Sequence, residues 1–300
     1  MITLLLINPK FIPKNIQRWS KKHPTLYIWT IQKNPFRIIT SPLRVLPNLI
    51  TIGTARGGTE SLYHYLKKHP NISVSNKREI YFFGQDPFFN TGLNWYRSFF
   101  PTNLYKSYFN NTHDKPLIVY EGTTDYIFQP KAPKQISEVL PNAKFLVMLR
   151  NPVDRAFSHF YHNIDTNHEY LDSFEETIEL EPKRLAERTN KGLDHIGFNF
   201  YTYLKRGIYV EQIKRWFEFF PKEKFLFQKS EDFLQNPQKT IDNICDFVNI
   251  PHLKISSKIR RNTVNYPKTM NPETRKKLVE YFKPYNEKLY ELLDVDFGWK

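Results

Sequence analysis

Two rhythms of apolar residues run along this chain. Short, nearly unbroken apolar runs occur at 49–52, 117–120, 144–149 and 225–228, each bounded by Pro, Gly, Asn or charge. Runs of that length read as strands buried on both faces, the usual state of a parallel sheet. Between them the apolar residues recur at helical spacing over 60–68, 131–140, 153–162, 209–219 and 237–248, with a last helix over 272–293. Pro272 suits the first turn of that helix, where its missing N–H costs nothing. Strands alternating with helices predict an α/β fold, with a central, mostly parallel sheet flanked by helices and right-handed crossovers. Residues 84–113, rich in Phe, Asn and Tyr, break both rhythms and read as a long loop or a set of short helices.

The first strand runs straight into Gly53, Thr54, Ala55, Arg56, Gly57, Gly58 and Thr59, and a helix follows. Strand, glycine-rich loop and helix together turn backbone N–H groups and a helix N-terminus toward an oxyanion. The layout resembles a Walker A loop, except that Thr59 stands where that loop carries its lysine. The cation of this loop is Arg56, placed earlier.

A second stretch, Leu149-Arg150-Asn151-Pro152-Val153-Asp154-Arg155-Ala156-Phe157-Ser158, ends a strand and starts a helix. Arg150 thus sits at the carboxyl end of a parallel strand, where α/β proteins bind ligands. Ser158 lies about two turns into the helix. A guanidinium fork and a hydroxyl suit a phosphate monoester, although an arginine in that place equally serves a structural ion pair. A third stretch, Ser75-Asn76-Lys77-Arg78-Glu79-Ile80-Tyr81-Phe82-Phe83, sets one carboxylate among cations and ahead of an aromatic run. Glu79 there is a candidate general base or a plain surface partner of Lys77 or Arg78.

Composition adds direction. Three hundred residues with a net charge of +14 point to an anionic partner or to a generally basic protein. The single cysteine, Cys245, excludes an internal disulfide framework and a cysteine metal cluster. His159, His162 and His168 have no convincing partner for a metal site, and none is expected. No apolar stretch is long enough to span a bilayer, and no basic region precedes the apolar opening as in a signal peptide. These features predict a cytoplasmic location. No Asp or Glu occurs before Glu60, so residues 1–46 read as a basic N-terminal extension, open to peripheral membrane contact, and 47–300 as one domain.

Taken in order, these stretches resemble the PAPS-dependent sulfotransferases, above all their carbohydrate branch, which includes the heparan sulfate enzymes and bacterial relatives. The resemblance runs over about residues 47–300. It rests on 52–59, 77–83, 149–161, on Arg206-Gly207-Ile208-Tyr209-Val210-Glu211, on Glu231-Asp232-Phe233 and on Asp296-Phe297-Gly298-Trp299. It implies a P-loop NTPase-like three-layer fold and transfer of a sulfuryl group from PAPS to a hydroxyl or amine, of a carbohydrate or glycoconjugate, with no metal and no nucleic acid. By resemblance, Gly53, Thr54, Ala55, Arg56, Gly57, Gly58 and Thr59, with the adjoining Glu60, would hold the 5′-phosphosulfate. Arg150 and Ser158 would hold the 3′-phosphate. Arg260, Arg261 and Asn262 would form a late donor-binding loop, and Glu79 would be the base, with Arg56 beside it in catalysis. Three positions depart from the branch: Arg56 replaces its usual Lys, Gly122 a further Lys, and Tyr81 a His.

Two other readings stay open on the residues alone. One is a P-loop kinase-like phosphotransferase, against which the missing lysine stands. The other is a non-enzymatic basic module for nucleic acid or anionic glycan.

Overall fold

The computed structural model describes residues 35–190, 200–256, 259 and 269–299. Its centre is a five-stranded sheet of β1 (Leu49–Gly53), β2 (Ile72–Val74), β3 (Ile118–Gly122), β4 (Lys144–Leu149) and β5 (Phe225–Lys229). The strand order is β2-β3-β1-β4-β5, and every pairing is parallel. Helices cover both faces, so the expected three-layer α/β fold is the one observed.

The alternation of side chains explains the two covering layers. Ile50, Ile52, Val119, Phe145, Val147 and Leu149 belong to one buried cluster. Their neighbours Leu49, Ile118, Tyr120, Leu146 and Met148 belong to another on the opposite face. Successive strand residues point to opposite faces, and here both sets are apolar. The first cluster is covered by α6 (Ala132–Val139), α7 (Pro152–Asp165), α9 (Tyr209–Phe217) and α12 (Pro272–Leu293) through Ile136, Phe160, Trp216 and Phe282. The second is covered by α2 (Thr59–Leu66) and α11 (Pro237–Val248) through Leu62, Tyr65, Ile241 and Ile244.

All four anticipated strands and all six anticipated helices are present, within a few residues at their ends. The irregular stretch after β2 resolves into three short helices, α3 (Asp86–Phe89), α4 (Leu93–Arg97) and α5 (Asn103–Thr112). Their aromatic rings interlock: Phe82 stacks on Tyr96 with centroids 4.5 Å apart, and Trp95 meets Phe99 edge-on at 4.8 Å. Strand β2 has no counterpart in the sequence reading. It is three residues long with Ser73 in its middle, too short and too polar to stand out, and exists because β3 offers it a free edge. Three helices were also unanticipated, α1 (Pro35–Ile39), α8 (Phe174–Asn190) and α10 (Ser230–Gln235). Helix α8 is polar over much of its length and is tied down by Glu181, whose carboxylate accepts the N–H groups of Tyr203, Leu204 and Lys205 at 2.9, 2.7 and 3.0 Å.

Ahead of the sheet, α1 (Pro35–Ile39) is fastened by Arg37, which donates to the carbonyls of Ser98 and Phe100. Arg44 donates to the same Phe100 carbonyl.

Phe145 lies at the heart of the first cluster, with no exposure and the rings of Trp216, Phe220 and Phe225 within 5.1, 4.7 and 4.9 Å. Phe145→Ala should therefore cost about 3–5 kcal/mol of unfolding free energy. Urea titration of the two proteins measures it, and a loss below about 1 kcal/mol would contradict this packing.

Candidate active site

The site grows from the carboxyl ends of β1, β3 and β4, which lie side by side. Beyond β1 the chain turns through Thr54 and Gly57, with Thr54 N–H donating to the Met148 carbonyl and Gly57 N–H to the Thr54 carbonyl, each at 2.9 Å. Gly57 is required here by space: a Cβ would stand 2.8 Å from the Met148 oxygen and 2.9 Å from the Thr54 oxygen. Gly58 caps α2 with φ +81°, the left-handed region that favours glycine. Thr59 and Glu60 open the helix, whose first turn leaves N–H groups without intrahelical acceptors. Ser230, at the start of α10, donates to the Gly57 carbonyl at 2.9 Å and braces the loop from behind.

Arg56, Arg150 and Ser158 come together at this place. Arg56 Nε donates to Ser158 Oγ at 3.2 Å, and Arg150 Nη1 donates to the Arg56 carbonyl at 3.0 Å. Two cations and a hydroxyl, 102 residues apart in sequence at the extreme, thus share one corner of the fold. The strand-to-helix turn that carries Arg150 is held on both sides. Asn151 caps α7 through its side chain, which accepts from Val153 N–H at 3.0 Å, while its own N–H donates to Glu231 at 2.8 Å. Tyr209 Oη donates to the Arg150 carbonyl at 2.8 Å.

Glu79 approaches from the neighbouring strand end. Its N–H donates to the Gly122 carbonyl at 3.1 Å, just where β3 ends beside β1. Its carboxylate accepts from both the N–H and the hydroxyl of Thr124, each at 3.1 Å, and is also hydrogen-bonded by the Tyr81 phenol. Arg78, one residue earlier, pairs with Glu60 at 2.7 Å and so ties this segment to the first turn of α2. Burial drives the Glu79 carboxyl up to about 7, with the charge of Asp125 adding to the rise and the Thr124 hydrogen bonds opposing it. Asp125 itself is buried and paired with Arg206 at 2.5 Å.

The structure thus groups the glycine-rich loop, Arg56, Arg150 and Ser158, and sets Glu79 on the adjoining strand end. Arg260, Arg261 and Asn262 lie outside the described residues. Glu60 is engaged by Arg78, a contact that nothing in the spacing foretold. Thr124, Tyr81, Ser230, Glu231 and Tyr209 were not assigned roles from sequence. Tyr81, Tyr209 and Glu231 lay in stretches that carry the family resemblance, and Thr124 follows directly on a strand-forming run, but spacing alone did not say what any of them would touch. The histidines take structural places: His159 is buried with its ring 5.0 Å from that of Tyr203, and His168 stacks on Phe200 at 3.9 Å.

Comparison with known proteins shows the family. Residues 46–290 match the family model described as a sulfotransferase domain. The chain is 28% identical to the membrane-associated sulfotransferase kil1 of Dictyostelium discoideum, over 98% of this chain and 73% of that protein. It is 25% identical to the human heparan sulfate glucosamine 3-O-sulfotransferase 6, over 85% of this chain and 74% of that protein. Among solved structures, the sulfotransferase from Alicyclobacillus acidocaldarius superposes with a TM-score of 0.63 at 26% identity, covering 85% of this chain and 98% of the other. The chain belongs to the sulfotransferase family and is a group-transferring enzyme. The kinase and non-enzymatic readings fall with that membership. The expected cytoplasmic location is also overturned, because the relative matched over nearly the whole chain is membrane-associated. Among the described residues, no helix is long and apolar enough to cross a membrane.

The raised carboxyl of Glu79 has a consequence for stability. The folded protein holds its proton up to about pH 7, whereas the ordinary value is 4.5. Its contribution to stability is therefore complete below pH 4.5 and is lost as pH rises through 7. Glu79→Gln, which cannot ionise, should flatten the decline in stability over that interval. Denaturant midpoints across the pH series measure it, and an unchanged slope would refute the buried-carboxyl description.

Proposed function

We propose that this sulfotransferase moves a sulfuryl group from PAPS, the standard donor of the family, to a hydroxyl or amine of a carbohydrate or glycoconjugate. The observation that carries the reading is the joining of Arg56, Arg150 and Ser158 at the ends of two adjacent parallel strands. A loop built to approach an anion closely, two guanidinium groups and a buried hydroxyl suit a nucleotide bearing phosphates at both ends.

Each residue has a distinct task in this reading. The loop from Gly53 to Thr59 holds the 5′-phosphosulfate, with Arg56 as its cation. Glu60 supports the loop through Arg78. Arg150 and Ser158 take the 3′-phosphate, with Arg260, Arg261 and Asn262 as a further donor-binding group. Glu79 accepts the proton of the acceptor as its oxygen or nitrogen attacks sulfur, and the bond from sulfur to the bridging oxygen of the donor breaks. Bound PAPS supplies a leaving group that is already a phosphate anion. Arg56 neutralises the charge that builds there, so the step asks for no metal ion. Loose transfer of this kind depends on alignment and charge stabilisation rather than on covalent chemistry by the protein. Thr59, in the place of the Walker lysine, fits the same reading.

The carbohydrate acceptor is supported by relatives named for heparan sulfate. Gly122 and Tyr81 depart from that branch, and a heparan chain itself is not proposed. Residues 47–300 are read as the catalytic domain. Residues 1–46, which hold no acidic side chain, are read as an extension suited to peripheral contact with an anionic membrane.

Two experiments bear on the roles. Glu79→Gln should lower turnover by roughly 10²–10⁴-fold while leaving binding of adenosine 3′,5′-bisphosphate intact. In the unmodified enzyme kcat should rise with pH and level off above about 7, because the base must be ionised. Near-normal turnover by the variant, in a sulfate-transfer assay with labelled PAPS and glycan acceptors, would remove Glu79 from this role. Arg150→Glu should abolish calorimetric binding of adenosine 3′,5′-bisphosphate, and retained affinity would displace the 3′-phosphate site.

A further inference from the structure

The segment that carries Glu79 has no regular secondary structure, and two of its non-glycine residues are left-handed, Glu79 at φ 50° and Tyr81 at φ 59°. Such a conformation persists only where its surroundings hold it. The hydrogen bonds that hold it converge on two hydroxyls. Thr123 Oγ1 accepts from the N–H groups of Ile80 and Tyr81 at 3.0 and 3.5 Å. Tyr126 Oη accepts from those of Phe82 and Phe83 at 3.1 and 3.5 Å.

Both hydroxyls lead to one carboxyl. Thr123 Oγ1 donates to Glu121 Oε1 at 2.6 Å, and the Tyr126 phenol is hydrogen-bonded to the same group. Tyr96 Oη donates to Oε2 at 2.8 Å. Glu121 lies on β3 with no exposure at all. A hydroxyl has a single proton. When Glu121 takes that proton as an acceptor, the oxygen of Thr123 or Tyr126 is left with lone pairs for the main chain. Four consecutive N–H groups, from Ile80 to Phe83, are satisfied in this way.

We propose that Glu121 is a positioning residue for Glu79: by accepting from Thr123 and Tyr126 it orients their hydroxyls to hold the main chain of residues 80–83, and so fixes the base against Thr124. The proposal rests on the reading of Glu79 as the base. Replacing the carboxyl by an amide turns one of its oxygens into a donor. The facing hydroxyl must then accept from it, and its proton turns toward main-chain N–H groups that donate as well. The donor corner lies apart from that change: the hydrogen bonds that join Arg56, Arg150 and Ser158 involve none of these groups.

The test is a double-mutant cycle on the full chain. Glu121→Gln should lower kcat roughly tenfold or more, with affinity for adenosine 3′,5′-bisphosphate held within about twofold. The double variant Glu79→Gln/Glu121→Gln should be no slower than Glu79→Gln alone, because a residue that acts only through the base has nothing left to align. A purely structural role would lower donor affinity and multiply the two losses. Unchanged kcat in Glu121→Gln, or additive losses in the double variant, would overturn the proposal. If Glu121→Gln does not yield folded protein, Tyr126→Phe removes the acceptor of Phe82 and Phe83 N–H and enters the same cycle with the same two outcomes. Full turnover by Glu79→Gln would refute the base, whereas a slow Glu79→Gln beside a fast Glu121→Gln would refute the positioning alone.

Discussion

Everything at this site depends on β1 being paired on both sides, by β3 and by β4, in the same direction. The parallel pairing brings three carboxyl ends to one edge of the sheet. One end delivers the glycine-rich loop, another Arg150, and the third the Gly122 carbonyl and Thr124 that hold Glu79. An antiparallel partner would have placed one of these groups at the far edge of the sheet. The pairing is enforced by burial, because each strand presents apolar residues to both faces and must be covered above and below.

That frame lets a charged site form beside an apolar core. The two arginines lie at the corner where strands end, and the hydrogen bonds they donate, Arg150 to the Arg56 carbonyl and Arg56 to the Ser158 hydroxyl, fix their directions. Arg150 is turned by the Arg56 carbonyl and by its own carbonyl's bond to Tyr209. Glu79, the proposed base, is held in the opposite way. It is half-buried, its carboxyl is raised by that burial, and Thr124 compensates with two hydrogen bonds. Such opposed influences keep a carboxyl near neutrality, where a general base is most effective. The aromatic packing of α3, α4 and α5 supports the arrangement from outside, with Tyr96 linking that packing to Glu121.

Much of this was legible in the chain. The strands of the sheet centre are apolar runs too short for helices, and the glycine-rich loop, Arg150 and Glu79 stood in recognisable surroundings. Strand β2 was not legible, because three residues carry no periodicity of their own. Helix α8 was hidden for a related reason: Phe174 and Ile178 at its start pack on the core, but further along its hold on the fold comes from Glu181 reaching three distant N–H groups. The location was misjudged because a short apolar opening and a lone cysteine say little about a membrane surface, and a membrane-associated relative argues the other way.

The sequence by itself determined the α/β class, the strands that build the sheet centre, and the residues proposed to cradle an anion, a glycine-rich loop that carries Arg56 and lacks the Walker lysine. These follow from local patterns, apolar periodicity and residue type, which need no knowledge of distant contacts. Only the tertiary structure decided which groups act together. Arg56 meets Ser158 across 102 residues, Arg78 pairs with Glu60 instead of its neighbour Glu79, and Glu121 becomes the anchor of a segment some forty residues away. Hydrogen bonds and burial between remote segments carry no signature in spacing, because they are set by strand order and register, and those emerge only when the sheet closes.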